Sequence, residues 1–100
     1  MSILHAVATI PVRAELAEQA AVGLAELAEK TRAEDGCLSY DLYRSAAQPG
    51  TFVTIEQWRS AEDLDAHMGT PHVQQAIAEF GAMLTGEIAV HPLTPVSAAE

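Results

Sequence analysis

Between Phe52 and Trp58 every residue except Glu56 and Gln57 is apolar or β-branched. At a period of two, Phe52, Thr54, Glu56 and Trp58 share one face, and Val53, Ile55 and Gln57 share the other. Two largely apolar faces predict a central strand over residues 51–59, covered on both sides. Residues 3–10 have the same character apart from His5 and Thr9, and form the first strand. Residues 37–45 alternate as a strand with Leu38, Tyr40 and Leu42 on one face and Asp41 and Tyr43 on the other. Residues 86–93 form the last strand, with Ile88 and Val90 on one face and Pro92 marking an edge.

The intervening segments change to a helical period. Pro11 and Val12 lead into a helix over residues 13–34, whose apolar stripe is Leu16, Ala20, Leu24, Leu27 and Ala28. Gly36 is expected as the C′ residue that ends it. Residues 46–50, closing on Pro49-Gly50, connect the second and third strands as a hairpin. Ser60 caps a short helix in which Leu64, His67 and Met68 recur at i, i+3 and i+4, so His67 points inward. Gly69-Thr70-Pro71 breaks that helix. Thr70 as N-cap and Pro71 at the first helical position start another, with Val73, Ala76, Ile77, Phe80 and Leu84 inward.

The order β-α-β-β-α-β is the ferredoxin-like, split β-α-β plan of an α+β domain. It places strands one and three in the middle of a four-stranded antiparallel sheet, with the helices on one face. The other apolar face then needs cover, and a second copy of the chain is the simplest source, so a homodimer is expected. One domain over residues 1–94 and a loose tail over 95–100 account for the chain.

Composition narrows the partners. The 100 residues are 49% hydrophobic, enough for one core, and disorder is excluded. A net charge of −9 with five Lys and Arg argues against nucleic acid or an anionic membrane. A lone cysteine, Cys37, rules out an internal disulfide framework. Without a basic, apolar leader or a run of transmembrane length, the expected location is the cytoplasm.

The chemistry concentrates in one stretch. A carboxylate, Glu56, shares a strand face with Trp58, and His67 follows on an inward helix face. Two readings of His67 stay open: a half-buried ring bonded to a backbone carbonyl, or a base oriented by Glu56. Trp58 and Tyr40 are core aromatics whose polar tips need partners, and together they would line a pocket for a flat aromatic ligand. His67 and His72 are five apart across a helix break, which is not the i, i+4 pair of a zinc helix. No glycine-rich phosphate loop is present either, so neither a metal nor an organic cofactor is expected. Cys37 reads as a small hydrophobe.

The run Glu34-Asp35-Gly36-Cys37 to Tyr40, then Phe52 through Ile55-Glu56-Gln57-Trp58, Ser60, Leu64, Ala66-His67 and Thr70-Pro71-His72, resembles the antibiotic biosynthesis monooxygenase domain. Its E-x-W-x-S…H-x-x-T-P-H string is similar to the small quinol-monooxygenase-like branch. The resemblance covers essentially the whole chain and implies a dimeric α+β barrel with a ligand cavity between sheet and helices. It carries over to Tyr40, Glu56, Trp58, His67 and His72. Haem-degrading members hold iron through a histidine at a position that is Ile77 here, so the resemblance does not extend to haem. The implied activity is cofactor-free oxygenation of a quinol or polyphenol by dioxygen. His67 and Glu56 would be catalytic, and Trp58, Tyr40 and His72 would bind substrate. Members of the family also include an isomerase, and two alternatives remain beside oxygenation: an isomerase of a small oxygenated metabolite, and a non-catalytic ligand-binding or stress protein.

Overall fold

The computed structural model describes residues 3–97. The elements are β1 (Leu4–Pro11), α1 (Ala17–Arg32), β2 (Cys37–Arg44), β3 (Thr51–Trp58), α2 (Ala61–Met68), α3 (Pro71–Phe80) and β4 (Ala89–Leu93). Short 3₁₀ turns, Ala14–Leu16 and Gly81–Met83, precede α1 and follow α3. The strands form one antiparallel sheet in the order β2-β3-β1-β4, with β1 and β3 central. This is the ferredoxin-like plan that the patterning predicts. The tail expected at 95–100 lies partly outside the described residues.

The strand faces differ sharply. Phe52, Thr54, Glu56 and Trp58 are all buried beneath the helices, together with Ala6, Ala8 and Ile10 of β1. Ile55, on the opposite face of β3, is 49% exposed. That second face is therefore open to solvent in the single chain, although its pattern is apolar.

The helical side packs as two clusters. One joins Ile10, Val12, Ala17, Ala20, Leu24, Phe52 and Phe80. The other joins Ala6, Ala28, Tyr40, Trp58 and Leu64. Gly23 belongs beside the first cluster because α1 and α3 approach closely there: a Cβ on it would lie 2.6 Å from Phe80 Cζ.

Three local expectations need correction. Helix α1 ends at Arg32, and its cap, Ala33, is right-handed, so Gly36 is not the C′ residue. Gly36 is needed for space instead, since a Cβ there would run into the Asp63 side chain. Leu38 does not face inward with Tyr40. A bulge between Cys37 and Ser39 shifts the register, and Leu38 is left 51% exposed. Strand β4 starts at Ala89, three residues later than residue 86.

The caps that position the site form as the sequence predicts. Ser60 accepts from the Asp63 amide at the start of α2, and Thr70 accepts from the Val73 amide at the start of α3. Arg59 donates twice to Asp63, at 2.8 Å each. That bond, and next the one from Ser60, holds the Asp63 carboxyl below the usual carboxylate range.

Candidate active site

Three segments converge beside Trp58. The turn that follows α1 presents Glu34, the last turn of α2 presents His67, and the first turn of α3 presents His72. The break at Gly69-Thr70 folds α3 back from α2, so the two imidazoles lie 6.2 Å apart between ring centres. Glu34 Oε2 lies 2.8 Å from His67 Nδ1 and 2.6 Å from His72 Nε2. A carboxylate has no proton to give, so both ring nitrogens must carry theirs and donate to the one oxygen.

For a neutral His67 this sets the tautomer. With the proton of a neutral ring on Nδ1, Nε2 holds the lone pair. His67 is 5% exposed, with its ring 4.7 Å from Trp58 and 5.9 Å from Tyr40 between centres. Nε2 has no hydrogen-bond partner among the described residues. An imidazole with a carboxylate on Nδ1 and an unengaged Nε2 is the arrangement of a general base with its orienting acid.

Glu56 is not that acid. Its Oε1 accepts from Trp58 Nε1 at 2.8 Å, and its Oε2 accepts from the Thr54 hydroxyl at 2.5 Å. All three residues lie on the inward face of β3, two apart, so the strand itself brings them together. Glu56 is 3% exposed and lies in no salt bridge among the described residues. The carboxylate hydrogen-bonded to His67 is Glu34, not Glu56 as the sequence led one to expect. Across the ladder Glu56 pairs with Tyr40. Burial, and next the Glu56 carboxylate, push the Tyr40 phenol well above its ordinary range, so Tyr40 stays protonated and keeps an O–H to donate.

A cavity of about 410 Å³ opens between the sheet and the helices. Its polar end carries Tyr40, Glu56 and His67; Ile10, Leu24, Phe80 and Ile88 are among the apolar residues that wall the rest. Two of the residues expected to touch a ligand do not line it. Trp58 is fully buried and lies behind His67, where it backs the imidazole rather than facing the cavity. His72 lines a separate shallow groove of about 100 Å³, beside Glu26, Lys30 and Glu79. Cys37 is not poised for nucleophilic work. Burial, and next the Glu34 charge, push its thiol up to about 11.

Glu34, His67 and His72 are also a donor set that could hold a metal ion, their ligand atoms all lying within 4.8 Å of one another. Glu34 is the residue that site reasoning from the sequence passed over. Its signal was only the Glu34-Asp35-Gly36-Cys37 run, since 33 and 38 residues separate it from its two partners.

An antiparallel ferredoxin-like sheet with a mostly apolar cavity and an inward histidine defines a class of small ligand-binding α+β domains. Within it, the family model for antibiotic biosynthesis monooxygenase matches residues 3–79, and the chain belongs to that family. It is 49% identical over 69 residues to Rv0793 of Mycobacterium tuberculosis, covering 69% of this chain and 67% of that protein. YcnE of Bacillus subtilis is 30% identical over 83 residues, covering 83% and 87%. Both carry provisional monooxygenase names. The solved structure of Rv0793 superposes with a TM-score of 0.86 at 38% identity, over 99% of this chain and 100% of that one. A crystal structure described as an antibiotic biosynthesis monooxygenase superposes with a TM-score of 0.87 at 32% identity, over 94% and 99%. No helix among the described residues is long and apolar enough to cross a membrane.

Proposed function

We propose that the chain is a cofactor-independent monooxygenase that oxidises a quinol or polyphenolic aromatic with dioxygen. The observation that carries this reading is the Glu34–His67 pair, whose imidazole lines a mostly apolar cavity while Glu34 holds it from behind. The cavity volume suits a ligand of one to three fused rings, with the phenolic edge toward His67 and Tyr40.

The chemistry starts with a proton. His67 Nε2 takes it from a phenolic hydroxyl, and Glu34 holds the imidazolium that forms. The phenolate passes one electron to dioxygen, and the resulting radical and superoxide combine at a ring carbon that bears hydrogen. The peroxide anion takes back the proton held on His67, and the hydroperoxide then loses water together with the hydrogen of that carbon, leaving a carbonyl there. One oxygen atom enters the product quinone and the other leaves as water, with both electrons supplied by the substrate. Tyr40, kept neutral, donates to the developing oxyanion. The apolar walls exclude water that would quench the intermediates. Glu56 holds Trp58 and Thr54 in place and offers a lone pair to a second substrate hydroxyl.

A homodimer belongs to the same proposal, because the outward face of β1 and β3 carries Val7, Val53 and Ile55, and Ile55 is 49% exposed in one chain. Light scattering at micromolar concentration should return twice the chain mass.

The test is oxygen uptake on a panel of hydroquinones, catechols and polycyclic phenols, with ¹⁸O₂ labelling of the product. The expected result is one labelled atom per product molecule and a rate that collapses in His67→Gln. Uptake no faster than in the variant, on every substrate, contradicts the proposal.

A further inference from the structure

The proposed base needs Glu34 and one imidazole. His72 adds nothing to it, yet its Nε2 shares the same Glu34 oxygen with His67. We propose that Glu34, His67 and His72 also form a binding site for a divalent transition-metal ion of the zinc class, and that an ion there silences His67 as a base. The second half rests on the function proposed above; the first does not.

The donors suit such an ion. Two imidazole nitrogens and one carboxylate oxygen are a common set for zinc and its neighbours, with the fourth position left to water. They come from three different segments, the turn after α1 and the facing ends of α2 and α3, so an ion would lock those segments together. Tetrahedral ligands about 2.1 Å from zinc sit roughly 3.4 Å from one another. Glu34 Oε2 lies nearer than that to both nitrogens, and the three atoms lie within 4.8 Å of one another, so to admit the ion the carboxylate draws back and the two imidazoles adjust around it.

Burial and access fit as well. The side chains of His67, Glu34 and His72 are 6%, 15% and 20% exposed, shielded but reachable. The approach is the shallow groove lined by His72, where Glu26 and Glu79 attract a cation and Lys30 opposes it. The chain's net charge of −9 favours the same sign of ligand.

The consequence for His67 follows from its two nitrogens. An ion on Nδ1 takes the lone pair there, and the proton of the neutral ring moves to Nε2. In His72 the proton moves from Nε2 to Nδ1. No proton is gained or lost overall, but the nitrogen left to meet a cavity ligand turns from acceptor to donor. A ring in that state cannot deprotonate a phenol.

The test uses the untagged, metal-stripped chain with Zn²⁺ as the probe. Equilibrium dialysis with elemental analysis should find one ion per chain. Losing even an outer partner of a metal ligand typically costs ~10–100-fold in affinity, so His72→Ala should weaken binding by at least ~10-fold. His72→Gln should do the same, and circular dichroism should show both variants folded. The double variant His5→Ala/His91→Ala, which removes the two histidines on the open sheet face, should bind as the parent does. Imidazole ¹⁵N correlation spectra should show the His67 proton on Nδ1 without zinc and on Nε2 with it. These readings need no turnover, so they stand or fall separately from the proposed reaction. No retained ion, or equal retention by the His72 variants, overturns the site. A His67 tautomer unchanged by bound zinc overturns the switch.

Discussion

Strand β3 runs through two regions that solve opposite problems. At its Phe52 end the sheet meets Phe80, Leu24, Ile10 and Val12 in a cluster without a buried charge. At its Trp58 end, the same strand face carries Glu56 and Thr54, and α2 lays His67 over them. The first end gains stability from apolar burial, at about 25 cal/mol per Å². The second buries a carboxylate, which costs several kcal/mol unless it is hydrogen-bonded. Here both oxygens of Glu56 are bonded, by Trp58 and Thr54. The apolar end is built for packing, and the polar end keeps titratable side chains buried and held by hydrogen bonds.

That contrast can be broken from either side. The largest effect expected is on turnover at the polar end: His67→Gln should lower kcat by ~10²–10⁴, as loss of a positioned base does, while keeping most of the packing against Trp58. Steady-state oxygen uptake reads the first, and urea unfolding reads the second. At the apolar end, Phe52→Ala should cost about 3–5 kcal/mol in the same unfolding experiment.

Smaller changes sharpen the comparison. Gly23→Ala gains about 1 kcal/mol of helix propensity but drives a methyl group to 2.6 Å from the Phe80 ring. Overpacking of this kind costs about 1–3 kcal/mol, so the variant should melt below the parent. Ser60→Ala removes the cap of α2 and should cost about 1 kcal/mol, with a further loss of turnover as His67 loosens.

The smallest effect is one of pH. Asp63 titrates below its unfolded value, chiefly because Arg59 hydrogen-bonds to it. A depressed carboxylate stabilises the fold above its unfolded pKa, and that contribution fades as pH falls through the folded one. Arg59 is exposed and Asp63 only partly buried, so the pair is screened: Arg59→Gln should lose a small amount of stability at neutral pH, and that difference should vanish as pH falls through the folded pKa of Asp63, flattening the acid limb.

What the sequence made legible follows from local periodicity. The two faces of β3, the inward aim of His67 and the caps at Ser60 and Thr70 all depend on residues within a few positions of each other. Neighbourhood on one strand face likewise put Glu56 beside Trp58. The partner of His67 was not legible, because Glu34 reaches it only after α1 has packed on the sheet. Arg32 Nε, bonded to the Tyr40 carbonyl at 2.9 Å, helps fix that end of α1. The Leu38 bulge was hidden for a similar reason: alternation is a property of one strand, and a bulge belongs to a pair. Trp58 looked like a cavity wall because large aromatics line pockets, but its indole N–H is spent on Glu56 and its ring backs His67.

The central claim is that Glu34, rather than Glu56, orients the base. Oxygen uptake by metal-stripped Glu34→Gln and Glu56→Gln variants, on one substrate that the parent turns over, tests it most directly. An amide in place of Glu34 can hold the ring but cannot stabilise its protonated form as a carboxylate does. The account predicts that Glu34→Gln loses far more kcat than Glu56→Gln, which should show mainly a raised KM. Equal losses, or a larger fall in kcat for Glu56→Gln, would contradict it.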